Sequence, residues 1–131
     1  MERRHIRMDV WQDSVALVHH AYEFSTMFPQ DERFGLISQM RRSAISIPSN
    51  IAEGAARGSD KDFLRFLYIA RGSLAELETQ IIIATQLGYI NEQENWQPGL
   101  ERVFAKLAAL ITDFGRVPSE RICVSRLPSS I

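Results

Sequence analysis

Between Gln39 and Gly58 the chain reads QMRRSAISIPSNIAEGAARG, and from Ser43 to Ala56 its only charged residue is Glu53. Two stripes run through this stretch at helical spacing. The apolar one is Leu36, Met40, Ala44, Ile47, Ile51 and Ala55; the polar one is Gln39, Ser43, Ser46, Asn50, Glu53 and Arg57. At about 100° per residue the two stripes lie roughly 120° apart. The remaining arc carries Ile45, Pro48, Ser49, Ala52 and Ala56, where the surface helix of a monomer normally carries charge. The segment therefore reads as a helix covered on nearly every side, by its own bundle and by a neighbouring subunit. Glu53, expected to be nearly buried, then needs a cationic partner, with Arg57 and Arg71 as candidates.

Three more striped segments surround it. The first helix is predicted after Asp9, with Asp9 as cap and Gln12 in the capping-box position. It carries Val10, Ser14, Leu17, Ala21, Phe24 and Phe28 on one face as far as Pro29. The second is predicted from near Asp31 to Arg57, as one helix kinked at Pro48, because both stripes keep their phase across the proline. Gly58 stops it, and Ser59 caps a third helix over 60–87 with the seam Phe63, Leu67, Ala70, Leu74, Leu77, Ile81 and Ala84. Gly88 followed by Tyr89 reads as its C-terminal stop. Pro98 and Gly99 predict a short separate turn before a fourth helix, which carries Leu100, Val103, Leu107, Leu110 and Phe114 with Trp96 in phase upstream. The fold class is all-α, an up-down-up-down four-helix bundle over residues 9–115. An N-terminal arm of residues 1–8 and an extended or mobile tail of residues 116–131 flank it.

With 131 residues, 45% hydrophobic and 24% charged, the chain is sized and composed as one ordinary globular domain. Its net charge of −1 is not that of a strongly basic nucleic-acid binder, although 39–71 carries an excess of basic residues. The lone Cys123 excludes an internal disulfide and fits a reducing compartment. The start MERRHIRMDV lacks the apolar run of a secretory signal, and no stretch approaches the roughly 20 apolar residues of a membrane span. A cytoplasmic location is the expectation.

Catalytic chemistry finds little purchase. A di-iron bundle needs paired Glu-x-x-His motifs, and the single match, Glu2 to His5, stands alone at the chain start. His19 and His20 point about 100° apart on a helix and read as solvated positions. Neither zinc clusters nor nucleophile triads nor phosphate loops are evident, so no enzyme, cofactor or metal is expected.

The polar stripe remains, with a structural and a functional reading. Structurally, Ser43, Ile45, Ser46, Pro48, Ser49, Asn50, Ala52 and Glu53, joined by Arg71 and Glu78 from the third helix, form a buried polar network and oligomer interface. Buried polar positions of this kind can fix register and assembly. Functionally, Ser46, Asn50 and Glu53 would line a binding cleft. The rival to both is nucleic-acid contact through Arg41, Arg42, Arg57, Lys61 and Arg65, a patch that a ring of subunits would multiply and that Asp60 and Asp62 interrupt.

Gln39-x-x-Arg42, the run Ser46-Ile47-Pro48 into Asn50-Ile51-Ala52-Glu53-Gly54, and Ala70-Arg71-Gly72-Ser73-Leu74 with Glu76-Leu77-Glu78 resemble the four-helix bundle family of 23S rRNA intervening-sequence proteins. Trp11-Gln12 and Leu87-Gly88-Tyr89 fit as well, and the resemblance covers about residues 8–114. It implies a bacterial cytosolic protein forming a homopentamer, a barrel of five bundles around a central channel, without an established enzymatic activity. Relatives include the accessory variability determinant of diversity-generating retroelements, which binds nucleic acid and a reverse transcriptase. That branch is strongly basic, and a pI of about 6.3 departs from it.

Overall fold

The structure is a computed structural model and describes residues 3–116. Apart from Arg116, the predicted tail with its Cys123 lies outside the described residues. Four helices make up the fold: α1 (Asp9–Ser25), α2 (Leu36–Ala56), α3 (Asp60–Gln86) and α4 (Gln97–Phe114). Each packs on the next, and α1 closes the circle against α4, giving an up-down-up-down four-helix bundle with no strand among the described residues. A 3-10 turn at Arg4–Arg7 precedes α1 and rests on α1 and α2. None of the described helices is long and apolar enough to cross a membrane.

The helix ends depart from expectation at three places. Asp9 is the first residue of α1 rather than its cap, and no side chain caps that end; Gln12 donates its amide to the Ile6 carbonyl instead, at 2.9 Å. Helix α2 begins at Leu36, not near Asp31. Gln30–Glu32 form a separate 3-10 turn, the backbone at Gly35 (φ −109°, ψ −110°) leaves helical geometry, and the Glu32 carboxylate accepts from the Leu36 N–H at 3.4 Å. Helix α4 starts at Gln97, with Pro98 inside its first turn. A missing N–H costs nothing there, so no separate turn forms.

Elsewhere the punctuation acts as read. Ser59 accepts from the Asp62 N–H at 3.2 Å and caps α3. Gly88 takes φ +81°, letting the Tyr89 N–H reach back to the Ala84 carbonyl at 2.9 Å. Pro48 sits buried within an α2 that runs unbroken to Ala56.

Fully enclosed side chains from all four helices, among them Leu17, Met40, Ile47, Ile51, Phe63, Leu67, Leu74, Leu100, Val103 and Leu107, form one core. Of all the helix pairs, α2 and α3 share the most extensive contact. Gly54 makes their approach possible, since a Cβ built there would stand 2.6 Å from the Phe66 Cβ and 3.1 Å from the Phe63 ring. Both atoms of the closer clash are fixed to backbone, so a substitution must part the helices. Alanine is favoured over glycine in a helix by about 1 kcal/mol, whereas overpacking costs about 1–3 kcal/mol. Gly54→Ala is therefore expected to lower stability by up to about 2 kcal/mol in urea unfolding, against its helix propensity; a raised midpoint would show that the contact is slack.

Candidate functional site

The polar stripe of α2 divides into an inner and an outer part. Ser43 is buried against α3, its hydroxyl 2.6 Å from the Oε1 of Gln80, itself only 8% exposed. Ser46 and Ser73 share a hydrogen bond at 2.8 Å, and the Asn50 amide donates to the Ser46 carbonyl (2.7 Å) and hydroxyl (2.9 Å). The Ser43–Gln80 and Ser46–Ser73 pairs cross from α2 to the antiparallel α3 and set the register of the two helices, while the Asn50 bonds stay within α2. Gln39, Glu53 and Arg57 stay outside. Glu53 is half-exposed rather than nearly buried and receives Arg57 at 2.7 Å one turn along the same helix. Its position at the groove edge keeps it in water, where such a pair contributes little. Arg71 does not reach it: the guanidinium lies over the ring of Tyr68, 4.8 Å from its centre. Glu78 is half-buried on α3. The inner part of the stripe is a seam between α2 and α3.

Around that seam the outer surface is apolar and small. Pro48 is covered by its own chain, but Ile45 is 42% exposed, Ser49 and Ala56 are exposed, and Ala52 is half-buried. On α3 the side chains of Tyr68, Ile69, Ile82 and Ile83 are exposed, and between Tyr68 and Gln86 the only charges are Arg71, Glu76 and Glu78. Glu76 is already bound to Arg42 across the groove at 2.9 Å. Gly72 is exposed on α3, and a Cβ there would find no atom within 4 Å. A mid-helix glycine costs about 1 kcal/mol relative to alanine. No contact among the described residues returns it.

Gln80 was not singled out from the sequence, and Gly72 and Ser73 entered only within the run that carries the family resemblance. A signal existed for Ser73 and Gln80: Phe66, Ser73 and Gln80 recur every seven residues beside the apolar seam, as Ser43 and Asn50 do on α2.

The arginines predicted to form one patch are split. Arg41 donates to the Ser25 hydroxyl at 2.8 Å and lies over the Tyr22 ring, while Arg42 is bound to Gln39 and Glu76. Arg57, Lys61 and Arg65 stand at the opposite end, the first roughly 24 Å along the helix from Arg41 at 1.5 Å per residue. Arg57 and Arg65 both lie over Phe66, at 5.1 and 4.8 Å, and Arg4 lies over Phe63 at 5.2 Å. His20 also departs from expectation. While His19 is exposed, His20 is partly covered, stacked on Trp96 with ring centres 4.0 Å apart. No group of three His, Cys, Asp or Glu among the described residues is placed to hold a metal ion.

The buried Ser43–Gln80 bond gives the seam a measurable weight. Ser43→Ala leaves the Gln80 amide oxygen without this donor, and the expected loss is about 1–3 kcal/mol in urea unfolding. Replacing both, Ser43→Ala with Gln80→Met, should recover most of it, because no polar group is then stranded. A double-variant loss equal to the sum of the losses of Ser43→Ala and Gln80→Met made singly would mean that the bond carries no coupling.

No curated protein matches the chain. Residues 7–109 match the family model of the 23S rRNA-intervening sequence protein, and on that extent, with its four-helix bundle, the chain belongs to that family.

Proposed function

We propose that this is a non-enzymatic cytosolic protein that assembles with copies of itself into a homopentameric ring, using the outer face of α2 and α3 as the contact. The observation that carries this reading is Gly72, a helix-weakening residue with open space before it on an α3 that also exposes Ile69, Ile82 and Ile83, while α2 leaves Ile45 exposed. Single exposed apolar residues are ordinary on a protein surface. An exposed glycine on a helix that also carries exposed apolar side chains suits the close approach of another backbone. A closed ring joins two different patches of each subunit, and the number five follows the family resemblance.

Sedimentation tests it. Wild type should run with the mass of five 15.0 kDa chains. Gly72→Trp and Ile83→Glu should run as single chains with unchanged helical circular dichroism, since neither side chain enters the core. A wild-type monomer at tens of micromolar overturns the proposal.

A second reading, nucleic-acid contact, is favoured by the grouping of Arg57, Lys61, Arg65 and Arg4 at one end of the bundle. Phosphate contacts release counterions, so affinity should fall steeply between 50 and 200 mM salt, on the order of tenfold or more for a few contacts. Changing Arg57, Lys61 and Arg65 to Glu should abolish binding, with Arg41 and Arg42 left intact. No retardation of RNA or single-stranded DNA at low salt dismisses this reading and leaves the assembly reading untouched.

A further inference from the structure

The α1–α4 seam lies across the bundle from the proposed contact face, and of the four neighbouring helix pairs it is the one with the least contact. Three features hold it. Lys106 on α4 meets Asp13 on α1 in a pair whose side chains are only 12% and 23% exposed. One turn further along α1, Leu17 fits against Gly99, where a Cβ would stand 3.2 Å from its Cδ2. Next, at the beginning of α4, the imidazole of His20 stacks on the indole of Trp96, with an interplanar angle of 16°, while Phe24 meets both rings at 4.7 and 5.3 Å. Asp13, Leu17, His20 and Phe24 step along α1 by 4, 3 and 4, so all three features belong to one face.

We propose that His20 is an acid-sensitive pin: protonation of its imidazole releases the stack on Trp96 and loosens α1 and the start of α4, while the α2–α3 pair stays closed. The ring lies on the Trp96 face with Phe24 against it edge-on, which leaves a new charge poorly hydrated. Trp96 adds lability, since it is 4% exposed and its indole N–H has no acceptor among the described residues. Two carboxylates act on the imidazole, Glu23 from α1 and Glu94 from the α3–α4 connection; on α4 the charge set on this seam is Lys106, held by Asp13. Burial outweighs the carboxylates and holds His20 below its ordinary 6.5. The unfolded or opened chain thus takes the proton more readily than the closed one. The stabilisation is complete above pH 6.5 and is lost as pH falls through the folded value, by at most about tenfold in the opening equilibrium per pH unit for one proton.

NMR titration of the His20 ring in the full chain reads the first half. Its midpoint is expected below 6.5. Hydrogen exchange corrected for its intrinsic pH dependence reads the second half. Between pH 7.5 and 5 the amides of 13–25 and 97–106 should gain more exchange than those of 63–84, and His20→Phe, which keeps an uncharged ring on Trp96, should remove that gain. The proposal is overturned if His20 titrates at or above 6.5. It is equally overturned if all four helices loosen together, or if His20→Phe responds to acid as wild type does. The titration of wild type decides alone if the variant does not fold.

Discussion

Everything in this bundle is built out from the approach of α2 and α3 at Gly54. With hydrogen in place of a side chain, α2 comes within a few ångströms of the α3 backbone at Phe66, and the rings of Phe63 and Phe66 occupy the space that a larger residue would hold open. Close approach turns a modest amphipathic stripe into the most extensive contact in the fold. The antiparallel course is then marked out by polar pairs: Ser46 with Ser73 near the middle, Arg42 with Glu76 and Ser43 with Gln80 further on. A slip of one turn would bury Ser43 and Gln80 without each other, and that penalty specifies register more sharply than aliphatic packing can.

The same contact explains how α2 tolerates Pro48. A proline removes one helical donor and crowds the preceding turn, at a cost of about 3 kcal/mol in an exposed helix interior. Here Ala44, Ile47 and Ile51 are fully enclosed on the face around it, and Asn50 ties its side chain to the Ser46 carbonyl one turn back. Tertiary burial and a side-chain donor therefore hold the turn that the backbone alone holds weakly. Isolated propensity would break the helix; packing keeps it whole.

The sequence was most legible where periodicity and punctuation agreed. The seam from Phe63 to Ala84, the cap at Ser59 and the stop at Gly88 are found as read, because apolar spacing and local turn chemistry depend on neighbours only a few residues away. The start of α2 was not legible, because it is set by Glu32 accepting from Leu36 across an irregular Gly35, a capping arrangement without a sequence signature. Glu53 was misread for a different reason. The emptiness of its neighbourhood in charge suggested burial, but its own position at the groove edge lets it turn to water and to Arg57. Arg41 and Arg42 were counted with the other arginines by proximity in sequence, whereas helix geometry sends them to Ser25 and Glu76 and leaves Arg57, Lys61 and Arg65 at the far end. His20 illustrates the same limit, since its partner Trp96 is remote in the chain and only the closed circle of helices brings them together.

The two opposite seams of the bundle differ in kind, and the difference bears on what each can do. Between α2 and α3 the polar atoms are paired and the backbones are close, so the seam has little freedom to open and can present its outer face as a fixed surface. Between α1 and α4 the contact is thinner, an indole N–H is left without an acceptor among the described residues, and the pin is a side chain that gains charge on acidification. Local opening follows the least satisfied and least packed part of a fold. A molecule made this way can keep the α2–α3 surface in register while α1 and the start of α4 respond to their surroundings, because the core layer of Met40, Ile47, Leu67 and Leu74 holds α2 and α3 together without needing the rings of His20 and Trp96.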